Sequence, residues 1–390
     1  MRLGYSNRIE GPIVPHMTFV GVLLLCILML SHHEARASDA VSLQLKWLHQ
    51  FQFAGYYMAL EKGFYRNADF DVDIREGGPN VDPASEVALG KADFGVCTSG
   101  LLLRSPADPK LVSLAVVFQH SAAVILTTRA SGITNIAQIA GHPFMDTPGS
   151  DDLAAMFRRV GVDYAGLPRV RHNGDPRELV SRKADAMVAY STNEPFVLEE
   201  MGEPYNTFSP RAVGIDFYGD NLCTSEQLLL AKPERVAAFR AASLKGWQYA
   251  LAHKEETVDL ILRQYSDQKK REALLFEAGQ TEILMQPDLV ELGYQNPERW
   301  QRIAETYQDL GMMKTAVVPE GLIYGLNRGK IPAWLKYSLG GLAAFGALAS
   351  LVLSRLTALN RRLKSENIER KRMEVALQDA LNQAQAERER

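Results

Sequence analysis

The chain has 390 residues, of which 46% are hydrophobic and 23% are charged, and its formal net charge is −3. The apolar residues are sufficient to build a core, which excludes disorder for most of the chain, and no strongly basic region points to a nucleic-acid-binding protein. Three cysteines are too few for a disulfide scaffold. Only two segments are apolar enough to approach a membrane span, which excludes a polytopic membrane protein.

The first apolar segment, residues 18–30, matches a secretory signal. It has 13 residues, which is short for a bilayer span. Two arginines precede it, and a possible Ala35-Arg36-Ala37 cleavage site follows it. We therefore predict a signal peptide at residues 1–37. An uncleaved anchor is the alternative, and Met17 is a second candidate start.

The second apolar segment, residues 333–354, is predicted to be a transmembrane helix. Its last 18 positions carry no charge, and they would extend about 27 Å at ~1.5 Å per residue. A buried core helix is the alternative. Residues 355–390 carry nine Lys or Arg and six acidic residues, against 30 and 38 in residues 38–332. Because the more basic flank of a span stays in the cytoplasm, we predict a single-pass protein of a bacterial inner membrane, with residues 38–331 periplasmic and residues 355–390 cytoplasmic.

Between these segments, strand-like and helix-like patterns alternate up to about residue 189, and after residue 230 the chain is mostly helical. This order predicts an α/β fold with parallel sheets, which bind ligands beyond the carboxyl ends of their strands. The predicted strands are residues 41–47, 71–75, 92–96, 111–117, 124–128, 143–145, 169–171 and 184–189, and the predicted helices are residues 54–62, 83–89, 152–160, 176–181, 233–251, 255–265, 268–284 and 297–310.

Several motifs resemble the thiamine pyrimidine synthase-like family over about residues 41–325. The most specific is residues 43–57 (LQLKWLHQFQFAGYY), followed by EKGFY (61–65), GGP (77–79), GKADFG (90–95), FQHS (118–121) and TNEP (192–195). The resemblance implies a two-lobed periplasmic-binding-protein type II fold, with lobe 1 at about residues 41–128 and 228–325 and lobe 2 at about 131–220. That family includes importer receptors, an enzyme that makes the thiamine pyrimidine, and sensory domains; this sequence is most similar to the sensory branch.

Polar and aromatic residues that follow predicted strands are the ligand-binding candidates. A flat heteroaromatic ligand stacks on aromatic faces and exchanges hydrogen bonds with amides. By resemblance, Glu194 is the strongest candidate of lobe 2, because a carboxylate accepts hydrogen bonds from an aminopyrimidine. Core packing of Phe53 and Tyr57, helix capping and turn formation remain alternatives. The candidates are Trp47, His49, Gln50, Gln52, Phe53, Tyr56, Tyr57, Cys97, Thr98, Ser99, Gln119, His120, Ser121, Thr147, Gly149, Ser150, Asn173, Tyr190, Asn193, Glu194, Asp216 and Tyr218.

The resemblance also implies which residues a synthase would need. Its pyridoxal-phosphate lysine and its histidine would fall at Cys97 and Leu101, and its cysteine cluster near residues 219–224, where only Cys223 occurs. A Schiff base needs an amine, so we expect no enzyme activity, no cofactor and no metal. Cys97 and Cys223 are two exported cysteines, and the sequence leaves open whether they pair.

The tail carries a weak heptad pattern at Leu359, Leu363, Met373, Leu377, Ala380 and Ala384 and resembles a signalling helix. We therefore expect a homodimer through residues 355–390, with a kinase or cyclic-dinucleotide output domain absent from this chain; the uncapped end suggests that the chain continues. A solvated charged helix is the alternative. The favoured function is a membrane-anchored sensor of a thiamine-pyrimidine-like molecule. The rivals are a tethered importer receptor and, disfavoured, the synthase.

Overall fold

The computed structural model describes residues 38–147, 150–266, 268–326 and 333–388. The chain divides into two units, one ending at Tyr324 and the other starting at Gly325. The predicted signal peptide lies outside the described residues, and so does Gly149 of the predicted site.

Ten strands lie within the described residues and form two sheets. They are β1 Asp39–Gln44, β2 Phe70–Arg75, β3 Phe94–Cys97, β4 Leu111–Val116, β5 Ala123–Thr128, β6 Phe144–Asp146, β7 Arg169–Arg171, β8 Ala186–Tyr190, β9 Tyr205–Phe208 and β10 Asn221–Ser225. The first sheet has the order β2-β1-β3-β10-β4, and the second has the order β7-β6-β8-β5-β9.

The same described ranges contain eleven α-helices. They are α1 Ala54–Glu61, α2 Pro83–Ala88, α3 Asp151–Arg159, α4 Arg177–Val180, α5 Glu194–Glu200, α6 Glu226–Ala231, α7 Pro233–Ala252, α8 Lys254–Gln264, α9 Arg271–Met285, α10 Pro297–Asp309 and α11 Ala333–Arg388. Local sequence explains several starts. At α2, for example, the Asp82 carboxylate accepts a hydrogen bond from the Ala84 N–H (3.1 Å), and Pro83 occupies the first helical position, where no N–H is needed.

The α/β fold class is confirmed, but both sheets are mixed rather than parallel. β1 pairs in parallel with β2 and β3, and β6 pairs in parallel with β7 and β8. β10 runs antiparallel to β3 and β4, and β5 runs antiparallel to β8 and β9. The antiparallel strands are those at which the chain passes from one sheet to the other.

The predicted lobe boundaries differ from these sheets at two places. Residues 124–128 were assigned to lobe 1, but β5 belongs to the second sheet. β10 belongs to the first sheet and was not predicted as a strand, and neither was β9. The sequences of these two strands, YNTF and NLCTS, lack both a continuous apolar run and a clear alternation, so the pattern gave no signal.

Two segments, residues 117–122 and 209–220, connect the sheets, and hydrogen bonds join them. The N–H groups of Val117 and Phe118 both donate to the carbonyl oxygen of Asp220, at 2.8 and 3.1 Å. Short crossing segments of this kind act as a hinge between packed bodies. The cavity described below lies against this hinge.

The core of the first lobe depends on a close approach of α1 and α7. Trp247 of α7 lies on Gly55 of α1, and a Cβ at Gly55 would overlap the indole ring. In the same way, a Cβ at Gly246 would overlap the Gly55 carbonyl oxygen and the Ala59 side chain. Trp247 is 1% exposed, so the packed interface leaves no space into which these groups could move.

We expect Gly246→Ala to lower the free energy of unfolding by about 2 kcal/mol, because the added methyl group must separate α1 from α7. Gly279→Ala is the matched control, since Gly279 also lies inside a helix and a Cβ there meets nothing within 4 Å. Removing backbone entropy from the unfolded state should make the control neutral or more stable by about 0.5–1 kcal/mol. Urea denaturation of both variants measures the difference, and equal stabilities would contradict the close packing.

In the second unit, α11 is a single helix of 56 residues. Among the described residues, it is the one helix long and apolar enough to cross a membrane by length and composition, and none of its apolar window is buried. Its first residues coincide with the start of the predicted span at residue 333.

Candidate ligand-binding site

A cavity of about 760 Å³ lies between the two sheets. Its wall is built where parallel strands end: after β1 and β3 in the first lobe, and after β6 and β8 in the second. The hinge segments and Tyr307 of α10 complete it. This is the position at which α/β folds bind their ligands.

Thirteen of the 22 predicted site residues line this cavity. They come from both lobes and from the hinge segments, and most of them follow strands. Whether they contact a ligand stays a prediction. The lining candidates are Trp47, Gln50, Gln52, Cys97, Thr98, Ser99, Ser121, Thr147, Ser150, Tyr190, Asn193, Glu194 and Tyr218.

Phe53, Tyr56 and Tyr57 do not line the cavity, because they belong to the core. Their exposed fractions are 0%, 1% and 0%. The first helix packs against α7 and α8, and its aromatic residues belong to the same buried cluster as residues of those two helices. Tyr57 stacks on Tyr265 at 4.0 Å, and its hydroxyl is 2.8 Å from Nδ1 of His49, which holds that histidine away from the cavity.

Three further candidates lie in the hinge segments and not in the cavity wall: Gln119, His120 and Asp216. Nδ1 of His120 is 2.6 Å from Oδ1 of Asp216, and Arg299 of α10 donates to the other carboxylate oxygen at 3.1 Å. These contacts lower the pKa of Asp216 despite its partial burial, which alone would raise it. Gln119 donates to the Tyr294 carbonyl oxygen at 3.1 Å.

Asn173 is also outside the cavity wall. Its side-chain oxygen accepts a hydrogen bond from the Asp175 N–H at 3.0 Å, so Asn173 forms a turn, the alternative that the sequence left open. The neighbouring His172 lines the cavity in its place, with Nε2 2.8 Å from the Val188 carbonyl oxygen. Burial lowers the pKa of His172 and favours the neutral ring.

Lys46 is the basic group at the centre of the site, and sequence analysis did not select it. Its ammonium donates to the Tyr190 hydroxyl of the second lobe and lies 3.2 Å from Oδ1 of Asp220. Burial alone would lower the pKa of Lys46, but Asp220 and Tyr190 outweigh it and raise that pKa. The side chain is therefore held as a charged ammonium that bridges the lobes.

A chain of amides extends from Asp220 to the second lobe. The Gln52 side-chain amide donates to Oδ2 of Asp220 at 2.7 Å, and the Gln50 side-chain amide donates to Oε1 of Gln52 at 2.6 Å. Lys269 then donates to Gln50 at 2.7 Å and to Asn193 at 2.5 Å. Because each amide is fixed by its neighbour, its orientation in the cavity wall is set before a ligand arrives.

Glu277 of α9 holds this amide segment in place from behind. It is fully buried, and its two carboxylate oxygens accept the N–H groups of Phe51 (3.2 Å) and Gln52 (3.0 Å). Lys269 lies 3.5 Å away. Burial raises the pKa of Glu277, while Lys269 and the two N–H groups oppose that rise.

Glu194 lines the cavity but is already engaged within its own lobe. One oxygen accepts the Tyr190 N–H and the other accepts the Asn193 amide, both at 2.7 Å. Burial raises the pKa of this carboxyl group. A carboxylate has about four acceptor positions, so Glu194 retains capacity for a ligand while its present bonds fix its direction.

The charged groups of the described wall are mainly acidic. The wall contains two basic residues, Lys46 and Arg104, and six acidic residues: Asp82, Asp108, Asp151, Asp152, Glu194 and Asp220. This balance disfavours an anionic ligand and favours one that presents N–H donors or a positive charge.

Cys97 and Cys223 form a disulfide, with Cα atoms 6.0 Å apart. The bond joins β3 to β10, the strand that returns from the second sheet. Cys97 lies in the cavity wall, so the bond fixes part of the site. The position at which the synthase would carry its lysine is thus occupied by half of a cystine.

The chain is similar to three proteins that are named for different ligands or activities. The chain is 23% identical over 317 residues to the formylaminopyrimidine-binding protein of Halalkalibacterium halodurans, covering 76% of this chain and 95% of that protein. It is 24% identical to the riboflavin-binding protein RibY of Chloroflexus aurantiacus, covering 71% and 82%. It is also 24% identical to the 4-amino-5-hydroxymethyl-2-methylpyrimidine phosphate synthase of Legionella pneumophila, covering 57% and 72%.

The fold is shared with solved periplasmic binding proteins. The alkanesulfonate-binding protein SsuA of Xanthomonas axonopodis pv. citri, bound to MOPS, superposes with a TM-score of 0.56 at 12% identity. The superposition covers 74% of this chain and 99% of that protein. The predicted periplasmic-binding-protein fold is confirmed.

A family model described as NMT1/THI5 like matches residues 50–257, which is more than half of the chain. The predicted family resemblance is therefore confirmed, and the chain belongs to the NMT1/THI5-like family.

Proposed function

We propose that the chain is a membrane-anchored periplasmic sensor that binds a thiamine-pyrimidine-like solute between its two lobes. The observation that carries this proposal is the cavity itself, whose wall combines aromatic, amide and carboxylate groups from both lobes. Trp47 and Tyr190 contribute aromatic rings to this wall, and Gln50 and Asn193 contribute amides. A flat, nitrogen-rich heterocycle matches both kinds of group.

The relatives and the charge of the cavity favour the same ligand class. Two of the relatives are named for binding a pyrimidine and a flavin, both of which are nitrogen heterocycles. SsuA is named for alkanesulfonates, which are anions. The acidic wall here is unsuited to an anion, because burying one beside uncompensated carboxylates is unfavourable.

Contacts across the cleft supply the means of closure. Trp47 of the first lobe lies edge-on to His172 of the second at 6.1 Å, and Lys46 reaches Tyr190. A ligand that touches both lobes only when they are closed shifts the population toward the closed form. In the proposed sensor, this shift is passed to α11.

The anchoring part of the proposal rests on α11. Its apolar section is exposed to solvent, a state that a lipid bilayer would relieve. Farther along the helix, four heptad residues are each at least half exposed: Leu359, Leu363, Met373 and Leu377. Their side chains are therefore available to pack against a second copy of the helix.

A tethered importer receptor is the alternative that shares the cavity and the anchor. Deletion of residues 355–390 separates the two functions. Solute uptake by cells should survive the deletion if the chain serves an importer, whereas a ligand-dependent cytoplasmic output should be lost if it is a sensor.

The synthase is the third candidate, and two features disfavour it. Cys97 is in a disulfide, and the lysine that does reach the cavity, Lys46, is held as an ammonium and not as the neutral amine that a Schiff base needs. Formation of a pyrimidine product by the purified chain with pyridoxal phosphate would reverse this assignment.

We expect the full-length protein in detergent micelles to bind 4-amino-5-hydroxymethyl-2-methylpyrimidine in a calorimetric titration, and Trp47→Ala to weaken binding at least tenfold. An aromatic stacking platform contributes about 1–3 kcal/mol per ring, and tenfold corresponds to about 1.4 kcal/mol. Glu194→Gln should weaken binding by a similar factor, since it replaces a charged acceptor by a neutral one.

Leu48→Ala is the matched control, because Leu48 is adjacent to Trp47 but 40% exposed and outside the cavity wall. Its affinity should equal that of the unmodified chain. Normal binding by Trp47→Ala and Glu194→Gln would show that the pocket is wrongly assigned, and no binding by the unmodified chain would remove this ligand class.

A further inference from the structure

One part of the cavity wall, which we call the acidic corner, consists of Asp82, Asp151, Asp152 and Tyr307. Its members come from different parts of the fold: Asp82 precedes α2 in the first lobe, the two neighbouring aspartates open α3 in the second, and Tyr307 lies on α10. The candidate residues chosen from the sequence include none of them. The proposed function assigns no role to this corner.

Asp151 is the acidic group of this corner that has no partner. No hydrogen bond or ion pair of its carboxylate occurs among the described residues, and Oδ2 packs against Gly100 of the opposite lobe, where a Cβ would overlap it. Burial, reinforced by Asp152 and Asp82, raises the pKa of Asp151 to about 6, and Lys46 only partly opposes this. This part of the cavity wall therefore holds a partly buried carboxylate without a compensating charge.

The other two aspartates are already engaged. Asp152 accepts the Ser121 hydroxyl and the Leu153 N–H, the latter at 2.9 Å. Asp82 caps α2 and lies 3.7 Å from Arg104. Their negative charge still adds to the potential at Asp151, but their lone pairs are directed to protein groups.

Tyr307 is the second, independent indication of a ligand at this corner. Its side chain is fully buried, yet it lines the cavity, and among the described residues its hydroxyl makes no hydrogen bond. Its phenol is close enough to Asp151 and Asp152 for both to add to the rise in its pKa that burial causes. A hydroxyl in the cavity wall that has no protein partner is available to accept a hydrogen bond from a polar ligand atom.

We propose that the acidic corner is a subsite for a positively charged amino group carried on the heterocyclic ligand, with Asp151 as its ion-pair partner and Tyr307 as a hydrogen-bond acceptor. This inference rests on the proposed function and specifies its ligand further. An ammonium carries three donors and no acceptor, which complements a corner made of acceptors. It also agrees with the excess of acidic residues in the cavity wall.

The same subsite couples ligand charge to closure. Asp82 and Asp151 belong to opposite lobes, and each contributes to the other's electrostatic environment when the cleft is closed. Their repulsion opposes closure of the empty cleft, and a cation between them replaces repulsion by attraction. A neutral ligand of the same shape lacks this contribution.

Two pyrimidines that differ in one group test the subsite on the full-length protein in detergent micelles. 4-Amino-5-aminomethyl-2-methylpyrimidine carries an ammonium where 4-amino-5-hydroxymethyl-2-methylpyrimidine carries a neutral hydroxyl. In calorimetric titrations at pH 7.5, we expect the aminomethyl compound to bind at least tenfold more tightly. Asp151→Asn should reduce this ratio of the two affinities to about twofold or less, and Tyr307→Phe should reduce the ratio in part.

Asp288→Asn is the charge-matched control, since Asp288 is exposed and outside the cavity wall, and its ratio should equal that of the unmodified chain. The ratio should also rise with pH through about 6 as Asp151 ionises, because an alkyl ammonium stays charged over this range. The groups that face Asp151 are Lys46, Asp82, Asp152 and Tyr307, and Asp151→Asn should reduce the change of the affinity ratio with pH.

The possible failures are distinguishable. Equal binding of the two compounds by the unmodified chain would overturn the subsite and leave the proposed function standing. A preference that persists in Asp151→Asn would overturn the role of Asp151. Binding of neither compound would remove the pyrimidine ligand and the subsite together. Because the first comparison needs no variant, a folding defect in Asp151→Asn cannot obscure the result.

Discussion

Replacement of Cys223 by serine should lower the free energy of unfolding by about 2–5 kcal/mol under oxidising conditions. The disulfide closes a loop with a sequence separation of 126 residues, so its loss returns much conformational freedom to the unfolded chain. Both half-cystines are buried, at 3% and 0% exposure. The bond also ties β10 to β3, and β10 is the strand that brings the chain back from the second lobe.

Urea denaturation, monitored by tryptophan fluorescence with and without a thiol reductant, measures this contribution. The reductant should destabilise the unmodified protein by about the same amount as the substitution and should leave Cys223→Ser unchanged. Cys97→Ser should match Cys223→Ser, and the double variant should lose little more than either, since a single bond is removed in all three. A stability that does not respond to the reductant would contradict the bond.

Local patterns predicted most of the strands and the positions where they end. β1, β2, β4 and β8 are apolar or alternating runs, and the polar residues after them reached the cavity because parallel strands of one sheet end at one edge. Residues 43–57 also contained the unselected Lys46. A lysine between a strand and an aromatic residue resembles an ordinary surface lysine, and its partner Asp220 is 174 residues away.

The candidates that lie outside the cavity wall are placed there by contacts that are distant in sequence. Tyr56 and Tyr57 were selected because they follow β1, but α7, nearly 200 residues later, covers the helix that carries them. His120 was selected as a strand-end residue, and Arg299 and Asp216 turn it into a hinge contact. No pattern local to residues 53–57 or 118–121 contains this information.

Contacts that are distant in sequence also explain why sequence analysis did not select Tyr307 and Asp151. Tyr307 occupies an amphipathic helix, where an aromatic residue at helical spacing is ordinarily a core residue, and most of its ring does pack in the core. Asp151 opens α3, where an acidic residue ordinarily complements the helix dipole. Only the proximity of Gly100 and Asp82 from the other lobe makes this aspartate a partly buried charge without a partner among the described residues.

Replacement of Glu277 by leucine should lower the free energy of unfolding by about 3–5 kcal/mol, the range observed when one partner of a buried charged contact is removed. The substitution leaves the N–H groups of Phe51 and Gln52 without an acceptor inside the protein, and it leaves Lys269 without its carboxylate. Glu277→Gln should cost less, because its amide oxygen can still accept one of the two N–H groups.

The matched control is Glu282→Leu, the same substitution on the same helix. The Glu282 side chain is 43% exposed and pairs with Lys254 at the surface, so the cost should stay below about 1 kcal/mol. Because residues 50–52 carry the amides of the cavity wall, Glu277→Leu should also weaken pyrimidine binding, and Glu282→Leu should not. A Glu277→Leu protein as stable as the control would mean that the amide segment keeps its conformation without the buried carboxylate, and that the site is held in place from another direction.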